Sequence, residues 1–145
     1  ELSIENRRVS VLKAEGPGST VGKPGEAVKK IIEENGGVAR IIMIDAGVKF
    51  EGEETGKVAE GVGAAIGGPG VEKYKIEVGV VEREIPIDAL IIKMSLDEAL
   101  TPMKKKIIKG AKEAKERVKK IIEGFTKEND AVVVVGVGNC IGIGN

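Results

Sequence analysis

The sequence predicts a three-layer α/β domain on a mainly parallel sheet. Two observations predict it. Short apolar runs recur at Val9–Leu12, Val38–Ile44, Ala89–Met94 and Ala131–Val135, each the length of a buried strand. Segments with apolar residues at spacings of three and four lie between some of them. The expected order is β-α-β-α-β-β-α-β, with roughly five strands and one mixed edge. At 145 residues and 41% hydrophobic content, the chain has the size and core material of one domain.

In chain order, ELSIENRR at 1–8 is polar and reads as a frayed lead-in. The first strand spans Val9–Ala14. A loop follows with glycine at 16, 18, 22 and 25, and then a helix at Glu26–Glu34. Its stripe is Ala27, Val28, Ile31 and Ile32, and Asn35-Gly36-Gly37 stops it. The second strand, Val38–Ile44, is apolar on both faces and ends in Asp45-Ala46-Gly47. A second helix is expected at Glu54–Ile66, although Gly56, Gly61 and Gly63 each cost it about 1 kcal/mol against alanine. Close packing on the sheet, or close approach to a ligand or partner, would offset that cost.

Gly67-Gly68-Pro69-Gly70 breaks the chain. Glu72–Val81 alternates polar and apolar, as a strand with one wet face does, and Ala89–Met94 is its expected antiparallel neighbour. Ser95-Leu96-Asp97-Glu98 fits a capping box. A single turn from Leu96 should give way to a long helix with Thr101 as N-cap and Pro102 at N1, running to Phe125. Its stripe is Met103, Ile107, Ala111, Ala114, Val118, Ile121 and Phe125. Such a helix outruns a strand, so it bends at Gly110 or overhangs the sheet toward a partner, making 102–125 the candidate homo-oligomer surface. Its lysine-rich faces read as solvated. Ala131–Val135 is the last strand, running into GVGNCIGIGN.

Composition excludes several chemistries. The chain has no His, no Trp and one Cys, Cys140. It cannot build a Ser-His-Asp or Cys-His system, a Cys/His zinc site or a disulfide framework. Acid–base work would fall to Asp, Glu, Lys or Tyr74, and a bound metal would be a hard cation such as Mg²⁺ held by oxygen. A formal net charge of +0 and 2% aromatic residues disfavour nucleic acid as a partner. Rich Lys, Glu, Ile and Val with no Gln leans toward a thermophile. No apolar run is long enough to span a bilayer. The chain opens at Glu1 without a Met or a signal pattern, so it reads as a soluble, cytoplasmic fragment of a longer protein.

If the strands at 9–14, 38–44 and 131–135 are parallel, three loops leave at one rim: 15–25, 45–54 and 136–145. Open α/β sheets bind ligands at that rim. The expected function is therefore binding of a small phosphorylated or nucleotide-like ligand. Gly16, Gly18, Ser19, Thr20, Gly22 and Lys23 would cradle the anion, Asp45 would orient it, and Gly136, Gly138 and Asn139 would complete the pocket. GPGSTVGK is not a Walker loop: Gly18 precedes Gly22 by one residue too few, and Pro24 replaces the hydroxyl residue. GVGNCIGIG lacks the third glycine of a dinucleotide fingerprint. The plain alternatives are a glycine-rich connecting turn and a solvated acidic loop.

Glu15 at the end of the first strand, Asp45 at the end of the second and Glu51-Gly52-Glu53 resemble the Toprim pattern. In that pattern a strand-ending Glu-Gly and a later Asp-x-Asp hold Mg²⁺ for phosphoryl transfer on nucleic acid. The resemblance implies Glu15, Asp45 and Glu51 as metal ligands. Gly47 stands at the second Asp position, and the spacing to EGE is longer than the pattern has.

A wider resemblance covers nearly the whole chain. IDAGVKFEGEETGKVAEGVGAAIGGPGVEKYKIE, KMSLDEALTPMKK and VVVVGVGN are similar to an uncharacterised archaeal family, a domain of unknown function. The resemblance implies an archaeal source and a domain tethered to membrane through a segment upstream of Glu1. It implies no activity and no catalytic residues. A non-catalytic homo-oligomeric interaction domain is the remaining reading.

Overall fold

The computed structural model describes residues 2–13, 24–65, 76–77, 80 and 82–137. The elements are β1 (Leu2–Ile4), β2 (Arg7–Lys13), α1 (Pro24–Glu34), β3 (Arg40–Val48), β4 (Val58–Val62), β5 (Ile87–Met94), α2 (Leu96–Ala99), α3 (Lys105–Phe125) and β6 (Ala131–Gly136). They form one six-stranded sheet in the order β1-β2-β6-β3-β5-β4. The inner strands β2, β6, β3 and β5 are mutually parallel, while β1 and β4 lie antiparallel at the edges. The α/β class and the mainly parallel sheet hold; the sheet has one more strand than expected and is mixed at both edges.

The inner strands form because their side chains are apolar toward both layers. Ile41, Ile42 and Met43 are buried in succession, as are Val132 to Val135. Alternation then divides them. Val9, Ile42, Leu90, Val132 and Val134 meet α3 through Ile107, Ala114, Val118, Ile121 and Ile122. Ile41, Met43, Ile87, Val133 and Val135 meet α1 through Val28 and Ile32. Pro24 opens α1, where a missing N–H costs nothing. Gly36 and Gly37, both at positive φ, close it as Gly37 N donates to Ile32 O at 2.8 Å.

Four expectations need correction. Residues 2–8 of the expected lead-in are β1, its turn and the start of β2, not a frayed end. Ile4 pairs with Arg7, and the two residues between them, Glu5 and Asn6, both take positive φ as a tight hairpin requires. Long-range bonds pin that turn: Asn129 N donates to Asn6 O at 2.8 Å, and Arg7 donates to Thr126 O at 2.8 Å.

The helix expected at 54–66 is instead β4 where it is described. Gly56 and Gly63, at φ +85 and +108, bracket the strand. Left-handed glycines break a helix but terminate a strand without penalty. β4 is also the antiparallel neighbour of β5, the place expected for 72–81. In that stretch the described residues Ile76, Glu77 and Val80 are helical. Ile76 and Val80, four apart, are buried in the core cluster that holds Val28 and Ile32.

The long helix starts at Lys105 with Lys104 as N-cap, not at Thr101-Pro102. It is continuous over 21 residues. Gly110 lies on the buried stripe in place of Ala111, which is exposed. Phe125 is 67% exposed rather than part of the core. The Ser95 capping box forms as expected, with Ser95 Oγ accepting from Glu98 N.

Candidate functional site

Three parallel strands reach the same rim, where β2 and β6 end and β3 runs on to Val48. Lys13 of β2 is level with Gly136 of β6, and Gly136 with Ile44 of β3. Val137 N donates to Ile44 O at 2.9 Å, holding the exit of β6 beside Asp45. The helices α1 and α3 both begin on this carboxyl rim, because each follows a strand that ends there. Glu15, Gly16, Gly18, Ser19, Thr20, Gly22 and Lys23 lie outside the described residues, as do Tyr74, Gly138, Asn139 and Cys140.

Asp45 sits within β3, not at its end, since the strand runs on to Val48. Alternation puts it on the α1 face with Ile41 and Met43. Its Oδ1 accepts from Ala46 N at 2.7 Å. Glu51 is in an exposed turn closed by Glu53 N donating to Phe50 O at 3.1 Å, with Gly52 at φ +84. Between them β3 carries the chain about 10 Å beyond Asp45. Among the described residues no group of three or more His, Cys, Asp or Glu side chains can hold a metal ion. Glu15, the third ligand that the Toprim resemblance implied, lies outside those residues.

The rim beyond β5 is built in detail. Glu98 is the one buried charged side chain among the described residues, 8% exposed. Its carboxylate accepts from Ser95 N at 2.9 Å, Thr55 Oγ1 at 2.8 Å and Lys104 Nζ at 3.3 Å. The Ser95 backbone bond, then the Thr55 hydroxyl and Lys104, hold its pKa at about 2. One carboxylate thus ties the loop before β4 to the end of β5 and the approach to α3. Beside it, Glu53 accepts from Phe50 N at 2.7 Å and pairs with Lys93 at 3.3 Å. The Phe50 amide, then Lys93, holds the Glu53 carboxyl below its usual range.

The same loop is pressed backbone to backbone against α3. A Cβ on Gly56 would lie 2.2 Å from Lys106 O, and one on Gly110 would lie 2.3 Å from Gly56 O. Only glycine fits either position. The contact leaves a cleft of about 470 Å³ between 52–57 and the first turns of α3, where Lys57, Lys106 and Lys109 line it with Glu53, Glu54 and Glu113. The first turn of α3 has no acidic residue, and its N-cap, Lys104, makes no side-chain capping bond. Lysines there oppose the usual charge preference of a helix start and reinforce its positive end.

The sequence does not show this cleft, because in it the lysines of 104–120 read as one solvated face. Two local signals mark it: the Lys104-Lys105-Lys106 run against the helix dipole, and a glycine on the buried stripe.

A family model spans residues 1–144. The chain belongs to the family described as the C-terminal part of a domain of unknown function, DUF1512. No curated protein and no solved structure matches it. The resemblance to a family of unknown function is thus correct. For this DUF1512 domain, no helix of the described residues is long and apolar enough to cross a membrane.

Proposed function

We propose that this DUF1512 domain binds a small phosphorylated or nucleotide-like anion along the carboxyl rim of its sheet. The observation that carries the reading is the shared rim of β2, β6 and β3, where Lys13 and Gly136, the last residues of their strands, are level with Ile44, and where α1 and α3 both start. Helix starts present N–H groups and positive potential to an anion. The glycine loop between β2 and α1, Gly16 to Lys23, would supply the cradle, and Asp45 would orient the ligand's donor groups. At the β4 end of the rim Lys57, Lys106 and Lys109 stand with Glu53, Glu54 and Glu113, and the first turn of α3 itself carries no acidic residue.

Thermal denaturation against inorganic phosphate and a panel of nucleoside phosphates tests the proposal. A ligand bound only by the folded state raises the midpoint. The expected result is a rise with at least one phosphate, reduced in Lys23→Ala and in a Lys106→Ala/Lys109→Ala double variant. No rise with any of them at millimolar concentration removes the proposal.

A further inference from the structure

The net charge of +0 hides an uneven distribution. Residues 104–125 hold nine of the chain's 23 basic residues and three of its 23 acidic ones. α3 turns one side to the sheet through Ile107, Gly110, Ala114, Val118, Ile121 and Ile122. On the other side Lys105, Lys109, Lys112, Lys115 and Lys119 follow at spacings of four, three, three and four, so each is a surface neighbour of the next. The row contains no acidic residue. At about 1.5 Å of rise per residue it forms a ridge about 21 Å long.

The fold does not neutralise this ridge. Lys105, Lys109, Lys112 and Lys115 are exposed and form no ion pair among the described residues. The acids beside them are engaged elsewhere, Glu113 with Arg117 at 2.7 Å and Glu116 with Lys119 at 3.5 Å. Like charges three or four residues apart destabilise a helix, so the row opposes the element that carries it, and an external array of anions would relieve that repulsion. The row is lysine alone, a point charge suited to phosphate, without the Arg, Asn or Gln forks that read base edges. A lipid surface suits it less. A helix lying in a membrane interface buries an apolar face, whereas the apolar face of α3 is covered by the sheet and only Ile108, 43% exposed, stands beside the row as a large apolar side chain.

We propose that the outer face of α3 docks on the phosphate backbone of a nucleic-acid duplex, without regard to its sequence. A duplex presents a phosphate on each strand about every 3.4 Å along its axis, so a ridge about 21 Å long meets enough of them to engage every lysine of the row. Each contact releases condensed counterions, which supplies the affinity and makes it fall with salt. The scarcity of aromatic residues, 2% of the chain, argues against single strands, whose bases need stacking partners, but not against a duplex held by its phosphates. Lys109 also lines the cleft beside 52–57, while Lys112 and Lys115 do not, so the proposal stands apart from the small-anion reading.

Fluorescence anisotropy of a short labelled DNA duplex, titrated with the chain over a series of salt concentrations, tests it. The expected result is saturable binding whose affinity falls with salt at a log–log slope of about −4, alike for two duplexes of different sequence. Lys112→Glu/Lys115→Glu should weaken binding at least tenfold at low salt and flatten the slope by about 2, with unchanged circular dichroism because both side chains are exposed. Lys112→Ala alone should take about 1 from the slope even if the double variant misfolds. Lys29→Glu/Lys30→Glu makes the same change of charge on exposed lysines of α1, and should leave the affinity within about threefold. No binding at low salt overturns the proposal. So does binding that the α1 and α3 charge reversals weaken alike, or sedimentation of the chain with phosphatidylserine vesicles while the duplex stays unbound.

Discussion

The inner strands and the edge strand β4 are held in the same sheet by different forces. β3 and β6 each bury a run of consecutive side chains between two helical layers. β4 buries Val58 and leaves Glu60, Gly61 and Val62 exposed. Its position comes from the β5 ladder, from a glycine contact with α3 and from the carboxylate of Glu98. Apolar area fixes the interior, and backbone geometry fixes the edge. The two regions should therefore fail differently when altered.

The largest expected effect is in the interior. Leu90 is 0% exposed and belongs to the cluster under α3. Leu90→Ala should cost about 4 kcal/mol, from lost transfer energy and the cavity left behind. Urea denaturation should show the midpoint falling at unchanged slope, because the whole sheet unfolds together. A loss below about 1 kcal/mol would mean the α3 layer does not pack as described.

Gly56→Ala comes next and separates the regions. The new methyl must hold φ +85 and displace Lys106 O, 2.2 Å away. Left-handed strain of roughly 1–2 kcal/mol adds to an overpacking cost of about 1–3 kcal/mol. The loss should appear first as faster amide exchange in 56–62, before the inner strands respond. Uniform loss of protection across the sheet would erase the distinction between edge and interior.

The same distinction explains what could be read from the sequence. The interior was legible because VARIIMI, ALIIKM and AVVVV are apolar toward both faces, a property of composition alone. The Ser95 box and the Asn35-Gly36-Gly37 stop were legible because their partners lie within a few residues. β4 was not. Its glycines count against a helix, but nothing nearby says that Gly56 must clear Gly110, on an element that begins 49 residues later in the chain. The β1–β2 turn uses Glu5 and Asn6 rather than glycine, and β1 is only three residues long. The 72–81 stretch alternates in period two, yet Ile76 and Val80 also sit one helical turn apart. Of the site, Asp45 and Gly136, expected in the loops after their strands, lie on the strands themselves. The cleft of Lys57, Lys106 and Lys109 was hidden because it exists only once the Gly56–Gly110 contact has formed.

The smallest effect concerns Glu98, and it appears only as acid stability. Its pKa is about 2 in the folded chain against an ordinary value of 4.5. A depressed carboxyl contributes stability that is full above pH 4.5 and is lost as pH falls toward 2. In Glu98→Gln the amide keeps an acceptor for Ser95 N or Thr55 but cannot titrate. The variant should be less stable than the parent at pH 7, and the gap should close steadily between pH 4.5 and pH 2. Leu90→Ala offers the contrast, since an apolar cavity costs the same across that window. Thermal melts of the parent and both variants at matched pH values would show one gap closing and the other constant. If the Glu98→Gln gap also stays constant, the carboxylate's charge is not what holds the loop before β4 to the α3 approach, and shape alone sets that edge.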